Sequence, residues 1–165
     1  MQYITNKKGI TLIELMITVA IIGIAVGIAI PSYLSFVPHL RLNGAARDLM
    51  SDLRYTRSLA VGQNQKYKMV FDAANETYKI HRTSDSTVIR SVDYKDPNQN
   101  YSGIGIVSVV DKIGTAITIV EFDFNGTATT ANGLDNAPAV ITIKRSDGVE
   151  SKKIDVTKFG RVYAE

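Results

Sequence analysis

The chain contains no cysteine and only two histidines, His39 and His81. The first absence excludes a disulfide framework, a thiolate metal site and a thiol nucleophile. The histidines are 42 residues apart, so neither sits in a metal-ligand spacing such as i, i+4 on a helix. No GxSxG elbow, phosphate-binding GKS/T loop or paired-histidine motif occurs. His81 falls on a predicted strand between Ile80 and Arg82 and reads as an edge residue rather than a catalytic base. These absences argue against an enzyme, and no metal or cofactor is expected. The excess of one charge over the other is also small. The formal balance is +3, and without the first nine residues, which hold Lys7 and Lys8 and no acid, it is +1. Such a balance gives no general attraction to nucleic acid or anionic lipid.

What the chain does have is one long apolar run, Ile10 to Ile30, with a single ionisable group, Glu14, near its start. As a helix rising ~1.5 Å per residue, the run spans about 30 Å, the thickness of a bilayer's hydrocarbon core. Lys7 and Lys8 before it predict a cytoplasmic N-terminus, with the rest of the chain across the membrane. A cleaved secretory signal has a shorter apolar core and a small-residue site after it, whereas here Pro31-Ser32-Tyr33 follows. A simple membrane anchor fits the length but leaves Glu14 unexplained. A carboxylate at mid-span costs ~2.5–3.5 kcal/mol, less near one end, and a neutral residue avoids the cost altogether.

Proline at 31 removes a backbone donor and predicts a kink there, with a second break at Pro38. Beyond it Leu42, Ala46, Leu49, Leu53, Thr56 and Ala60 recur at helical spacing, and Gly62-Gln63-Asn64 supplies a stop. Arg41, Arg47, Asp48, Asp52, Arg54 and Arg57 read as the solvated face of this amphipathic helix, or as contacts to acidic surfaces of neighbouring subunits. The pattern then changes to period two. Tyr67, Met69 and Phe71 alternate in a half-buried strand, Ala73 to Glu76 make a turn, and Thr77 to Arg82 return with Tyr78 and Ile80 on one face. Further strands are expected at 88–94, 104–110, 116–124, 139–144 and 149–156, with a short last one at 159–163. Asp96 to Asn100 reads as a loop, Asn125-Gly126 as a tight turn, 127–138 as a mobile loop, and Ser146-Asp147-Gly148 as a hairpin turn. The fold class is α+β: a long N-terminal helix whose later half packs on one face of a mainly antiparallel sheet.

Gly9-Ile10-Thr11-Leu12-Ile13-Glu14-Leu15 resembles the processing motif of type IV pilins and type II secretion pseudopilins. The family's usual motif has phenylalanine where Ile10 stands. The resemblance implies a basic leader, residues 1–9, cut after Gly9 by prepilin peptidase, and N-methylation of the new terminus at Ile10. It implies that Glu14 pairs with the Ile10 amine of an adjacent subunit. Two opposite charges in low dielectric offset each other's desolvation, so the costly carboxylate becomes a means of fixing subunit register. The implied organisation is leader 1–9, transmembrane and filament-core helix 10–30, amphipathic continuation 31–62 and β-rich domain 63–165.

Arg57-Ser58, Asn64-Gln65, the stretch from Phe122 to Gly133 and Gly160-Arg161 are similar to the pseudopilin H (GspH)/FimT branch of that family. The reading implied is a minor pilin or pseudopilin. It is a single-pass protein of the inner membrane with its globular part periplasmic, and its partners are prepilin peptidase and other pilins in a helical filament. Two alternatives stand beside it: a major pilus subunit, and a DNA-binding pilin of uptake. Some FimT-type pilins use Gly-Arg-x-Arg near the C-terminus for DNA. Here Tyr163 takes the second arginine's place, leaving Arg161 and Lys158 as the candidate contacts. Lys144, Arg145, Lys152 and Lys153 are near in sequence, but Asp147, Glu150, Asp155 and Glu165 offset them.

Overall fold

The computed structural model describes residues 9–99, 101, 103–130 and 139–165, the side chains of Ser32 and Ser35 excepted. Residues 1–8 of the expected leader and most of the expected loop at 127–138 lie outside that set. The chain divides into two compact units, one ending at Val37 and the other running Pro38–Glu165.

Helix α1 spans Leu12–Gln63. It passes through Pro31 and Pro38, where a break was expected at the second. The missing proline N–H costs one hydrogen bond, and the turn after Pro38 offsets it by burying Leu42, Ala45 and Ala46. In the first unit the segment Leu12–Pro31 has a mean hydropathy of 2.6 and none of it is buried. Its length and apolar character suffice to cross a membrane. The helix ends as the sequence predicts. Asn64 takes the left-handed conformation at φ 53°, Gln65 N–H donates to the Ala60 carbonyl at 3.2 Å, and Asn64 N–H to that of Val61 at 3.4 Å. That pair of bonds is a Schellman cap, with asparagine in the place glycine usually takes.

Among the described residues, the second unit carries nine strands in two antiparallel sheets. The first sheet has the order β3 (Val88–Asp93), β2 (Thr77–Arg82), β1 (Tyr67–Asp72), β5 (Ile119–Phe122), β6 (Ala128–Thr130). The second has the order β4 (Ile104–Asp111), β7 (Ala139–Arg145), β8 (Ser151–Val156), β9 (Val162–Ala164). Residues 128–130, expected in a loop, are therefore a strand; their small polar side chains hid it. The strand expected at 116–124 is shorter, because the chain changes sheets there. Ile117 N–H donates to the Val109 carbonyl of the second sheet at 2.9 Å, and the next carbonyl, Thr118, accepts from Phe71 of the first at 2.7 Å. The last strand starts later than expected, since Thr157 to Arg161 close a turn with Gly160 N–H on the Thr157 carbonyl. His81 lies on β2, which is paired on both sides, at a bulge between Ile80 and His81, and is not an edge residue.

The alternation in the strands places the core. Tyr67, Met69 and Phe71 from β1, Tyr78 and Ile80 from β2, and Ile141, Ile143, Ile154 and Val156 from the second sheet join one buried cluster. Leu42, Leu49, Leu53 and Ala60 of α1 complete it, so the helix serves both sheets rather than one face of one sheet. Each fully buried leucine contributes roughly 1.5–3 kcal/mol.

Candidate assembly site

The head of α1 is built by its own first residues. Thr11 stands just before the helix, and its Oγ1 accepts the Glu14 N–H at 3.3 Å, while its carbonyl accepts the Leu15 N–H at 3.2 Å. Thr11 is thus the N-cap and Glu14 the third helical residue, the Thr-x-x-Glu spacing of a capping box. An acid in the first turn also complements the positive end of the helix dipole. Gly9 and Ile10 precede the helix and are exposed. The candidate cleavage bond, the candidate amine at Ile10 and Glu14 therefore fall within the three residues before the helix and its first turn. The Thr-x-x-Glu spacing is the signal in the sequence that could have marked this helix start.

A second constellation lies at the C-terminal end of α1. Arg57 Nε donates to the Gly126 carbonyl at 2.9 Å, and Arg54, one turn earlier, donates to the Val162 carbonyl at 3.0 Å. Gly160, at φ +67°, is packed so closely that a Cβ there would stand 2.2 Å from the Gly126 oxygen and 2.6 Å from Arg57 Nε. Ala128 N–H then donates to the Lys158 carbonyl at 2.9 Å, joining the β5–β6 and β8–β9 turns. Three motifs that the sequence presents separately, Arg57-Ser58, Asn125-Gly126 and Gly160-Arg161, meet in one corner. Glycine is required at 160 both by its φ and by the carbonyl it lies against.

A third group of polar residues anchors α1 to the strands. Asp52, assigned above to the solvated face, is 3% exposed. Its Oδ2 accepts the Tyr78 hydroxyl at 2.8 Å and pairs with Arg90 Nε at 3.1 Å. Burial pushes the Asp52 carboxyl above the ordinary range and nearby Asp48 adds to that, against the opposing Tyr78 bond and Arg90 charge. Tyr101 donates to Asp48 Oδ2 at 2.8 Å, and burial pushes its phenol up to about 12, the Asp48 bond and charge adding to the effect. His39 pairs with Glu150 at 2.8 Å. No cluster of three metal-ligating side chains occurs among the described residues.

Arg161 and Lys158, the candidate nucleic-acid contacts, share the β8–β9 turn and are both exposed. Lys158 lines a groove with Lys112 and Lys153, but Asp155 and Glu165 line it too, and Arg161 is not among its walls. The arrangement is of mixed sign rather than a cation track. Phosphate-backbone binding draws its affinity from several neutralised phosphates.

Residues 4–30 match the family model described as the prokaryotic N-terminal methylation motif. A fimbrial protein of Pseudomonas aeruginosa is 31% identical over 152 residues, 92% of this chain and 88% of that protein. The fimbrial protein EcpC of Eikenella corrodens is 36% identical over 86 residues, 52% of this chain and 53% of its own. Among solved structures, the type IV minor pilin FimU of Pseudomonas aeruginosa superposes with a TM-score of 0.56 at 19% identity, covering 79% of this chain and 92% of FimU. The minor pseudopilin EpsH of the Vibrio cholerae type 2 secretion system gives 0.53 at 10% identity, covering 76% and 96%. These two likenesses are of fold.

Proposed function

The chain belongs to the fimbrial family of type IV pilins and pseudopilins, and from that premise we propose that it is a minor subunit, processed at Gly9–Ile10 and drawn into a filament through its N-terminal helix. The observation that carries the reading is Glu14, placed by the Thr11 cap in the first turn of a helix whose 20-residue apolar segment has nothing covering it. In a filament that segment would be covered by copies of itself and its relatives, and each Glu14 would meet the Ile10 amine of a neighbour. Minor rather than major standing rests on the fold it shares with FimU and EpsH.

Before assembly the chain crosses the inner membrane once, with its N-terminus cytoplasmic and the unit Pro38–Glu165 periplasmic. Prepilin peptidase removes the leader and Ile10 is N-methylated. The domain reading is leader 1–9, spanning helix 10–30, helical continuation 31–62 and β-rich domain 63–165, and Pro31 is the point of local give in the helix. The role is structural: nothing in the site chemistry calls for a reaction or a cofactor.

Mass spectrometry of the full chain recovered from sheared filaments tests this reading. The expected N-terminus is methylated Ile10, at a low ratio to the bulk pilin. Recovery only as a monomer that retains residues 1–9 overturns the reading, and a dominant share of the filament mass would make it the major subunit.

A further inference from the structure

Arg54, Arg57, Ser58 and Val61 fall at i, i+3, i+4 and i+7, on one face of α1. With Gly62 they line an open groove of about 400 Å³. Neither arginine has a carboxylate partner among the described residues, although Arg82, Arg90 and Arg145 each do. Each of the two makes one hydrogen bond to a backbone carbonyl, Arg54 to Val162 and Arg57 to Gly126. A guanidinium has five donors, so most of theirs are left for another acceptor. Two like charges one turn apart also repel each other mildly. Beside them Ser58 offers a hydroxyl and Val61, 51% exposed, an apolar edge.

We propose that this groove docks an Asp or Glu side chain of an adjacent filament subunit, the two guanidiniums clasping its carboxylate. The inference rests on the filament reading above. The carbonyl bonds hold the two side chains in place, so little freedom is lost when the acid arrives. Planar guanidinium favours a carboxylate held by two parallel bonds. Two cations are too few for a nucleic-acid track, which neutralises phosphate after phosphate. Arginine beside an exposed aliphatic side chain is instead the composition of a protein interface.

The test uses the full chain expressed with its partner pilins, with filament recovery and protease resistance of the folded unit measured together. Arg54→Glu is expected to keep protease resistance and cleavage after Gly9, and to lower recovery in sheared filaments about tenfold, the factor one lost charge-assisted bond carries. A photo-crosslinking residue at position 58 is expected to trap a partner pilin at a segment containing an acid. Reversing that acid to lysine is expected to restore recovery of Arg54→Glu.

Ser58→Trp, which fills the groove from an exposed position, is expected to reproduce the loss without touching the Val162 bond. Glu14→Ala serves as the parallel control. If it abolishes recovery while Arg54→Glu and Ser58→Trp assemble normally, the docking inference falls and the filament reading stands. If all three assemble normally, both fall. An adduct confined to lipid, or no rescue by any charge reversal, also overturns the docking inference.

Discussion

The Tyr78 hydroxyl donates to Asp52 Oδ2 at 2.8 Å, and neither residue is more than 3% exposed. The bond ties α1 to β2 through the centre of the unit Pro38–Glu165. Tyr78→Phe removes the donor and leaves the buried carboxylate to Arg90, a half-exposed partner. The expected cost is about 1–3 kcal/mol, the penalty of a buried acceptor losing a bond. Urea unfolding of the full chain in detergent measures it. An unchanged midpoint would mean that the carboxylate finds its stabilisation elsewhere.

The same carboxyl predicts a pH dependence. Its pKa is raised in the folded state, chiefly by burial. A raised acid binds its proton more tightly folded than unfolded. Its contribution to stability is therefore present below the ordinary carboxylate value, about 4, and is lost as pH rises through the raised value. Asp155, raised by burial and by the neighbouring Glu165, acts with the same sign. Asp52→Asn is expected to flatten the fall in stability just above about pH 4, and adding Asp155→Asn to flatten it further. Urea midpoints across that range decide it, and a double variant that follows the original profile would refute the assignment.

Gly160→Ala strains the backbone at φ +67° and drives a methyl into the Gly126 carbonyl, 2.2 Å away. A backbone oxygen has no room to yield, so a loss of about 1–3 kcal/mol or more is expected. Gly114→Ala is the comparison. It has φ +87° with nothing within 4 Å of the added carbon, so it carries the conformational part alone. The difference between the two melting shifts isolates the close approach. Equal shifts would show that the corner at Gly126 is looser than its geometry.

Much of this fold was legible because its signals are local. The alternation of Tyr67, Met69 and Phe71, the turn at Asp147-Gly148 and the stripe from Leu42 to Ala60 each lie within one element. What escaped was long-range. Period two says which face of a strand is buried but not which sheet holds it, so the crossing at Ile117 and Thr118 was invisible. Asp52 lies one residue before Leu53, well within the buried stripe, yet its charge suggested solvent; only its partners Tyr78 and Arg90, distant in sequence, explain its burial. At the site, Gly9 to Glu14 was legible as a motif, whereas the Thr11 cap emerged only from the hydrogen bonds of the first turn. The Arg57 corner closes across 69 residues of chain, and no local pattern announces that.

Thr11→Val removes the cap oxygen while keeping the shape of the side chain. A lost N-cap costs about 0.5–2 kcal/mol of helix stability, felt in the first turn. Hydrogen exchange at the Glu14 and Leu15 amides, in micelles, is expected to quicken, with exchange in the core of the second unit unchanged. If the first turn stays protected, the Thr11 bond is not what starts the helix.

A gel-shift series with the full chain in detergent tests the remaining alternative. Lys158 shares its groove with Asp155 and Glu165, so no salt-sensitive retardation of DNA is expected. Retardation that weakens with salt and is lost in Arg161→Ala would instead favour a role in DNA uptake.

Thr11 caps α1 only one residue beyond Ile10, so hydrolysis between Gly9 and Ile10 would turn a neutral amide into an ammonium group at the positive pole of its own helix. On the proposed reading, trimming would thus set a cation beside the positive pole of each helix, with the first-turn carboxylate of Glu14, its own or a neighbour's, as the group that offsets it. If the proposed processing holds, an untrimmed copy would carry no such cation and would gain less from a neighbour's Glu14, so that peptide bond would act as a safety catch against premature polymerisation.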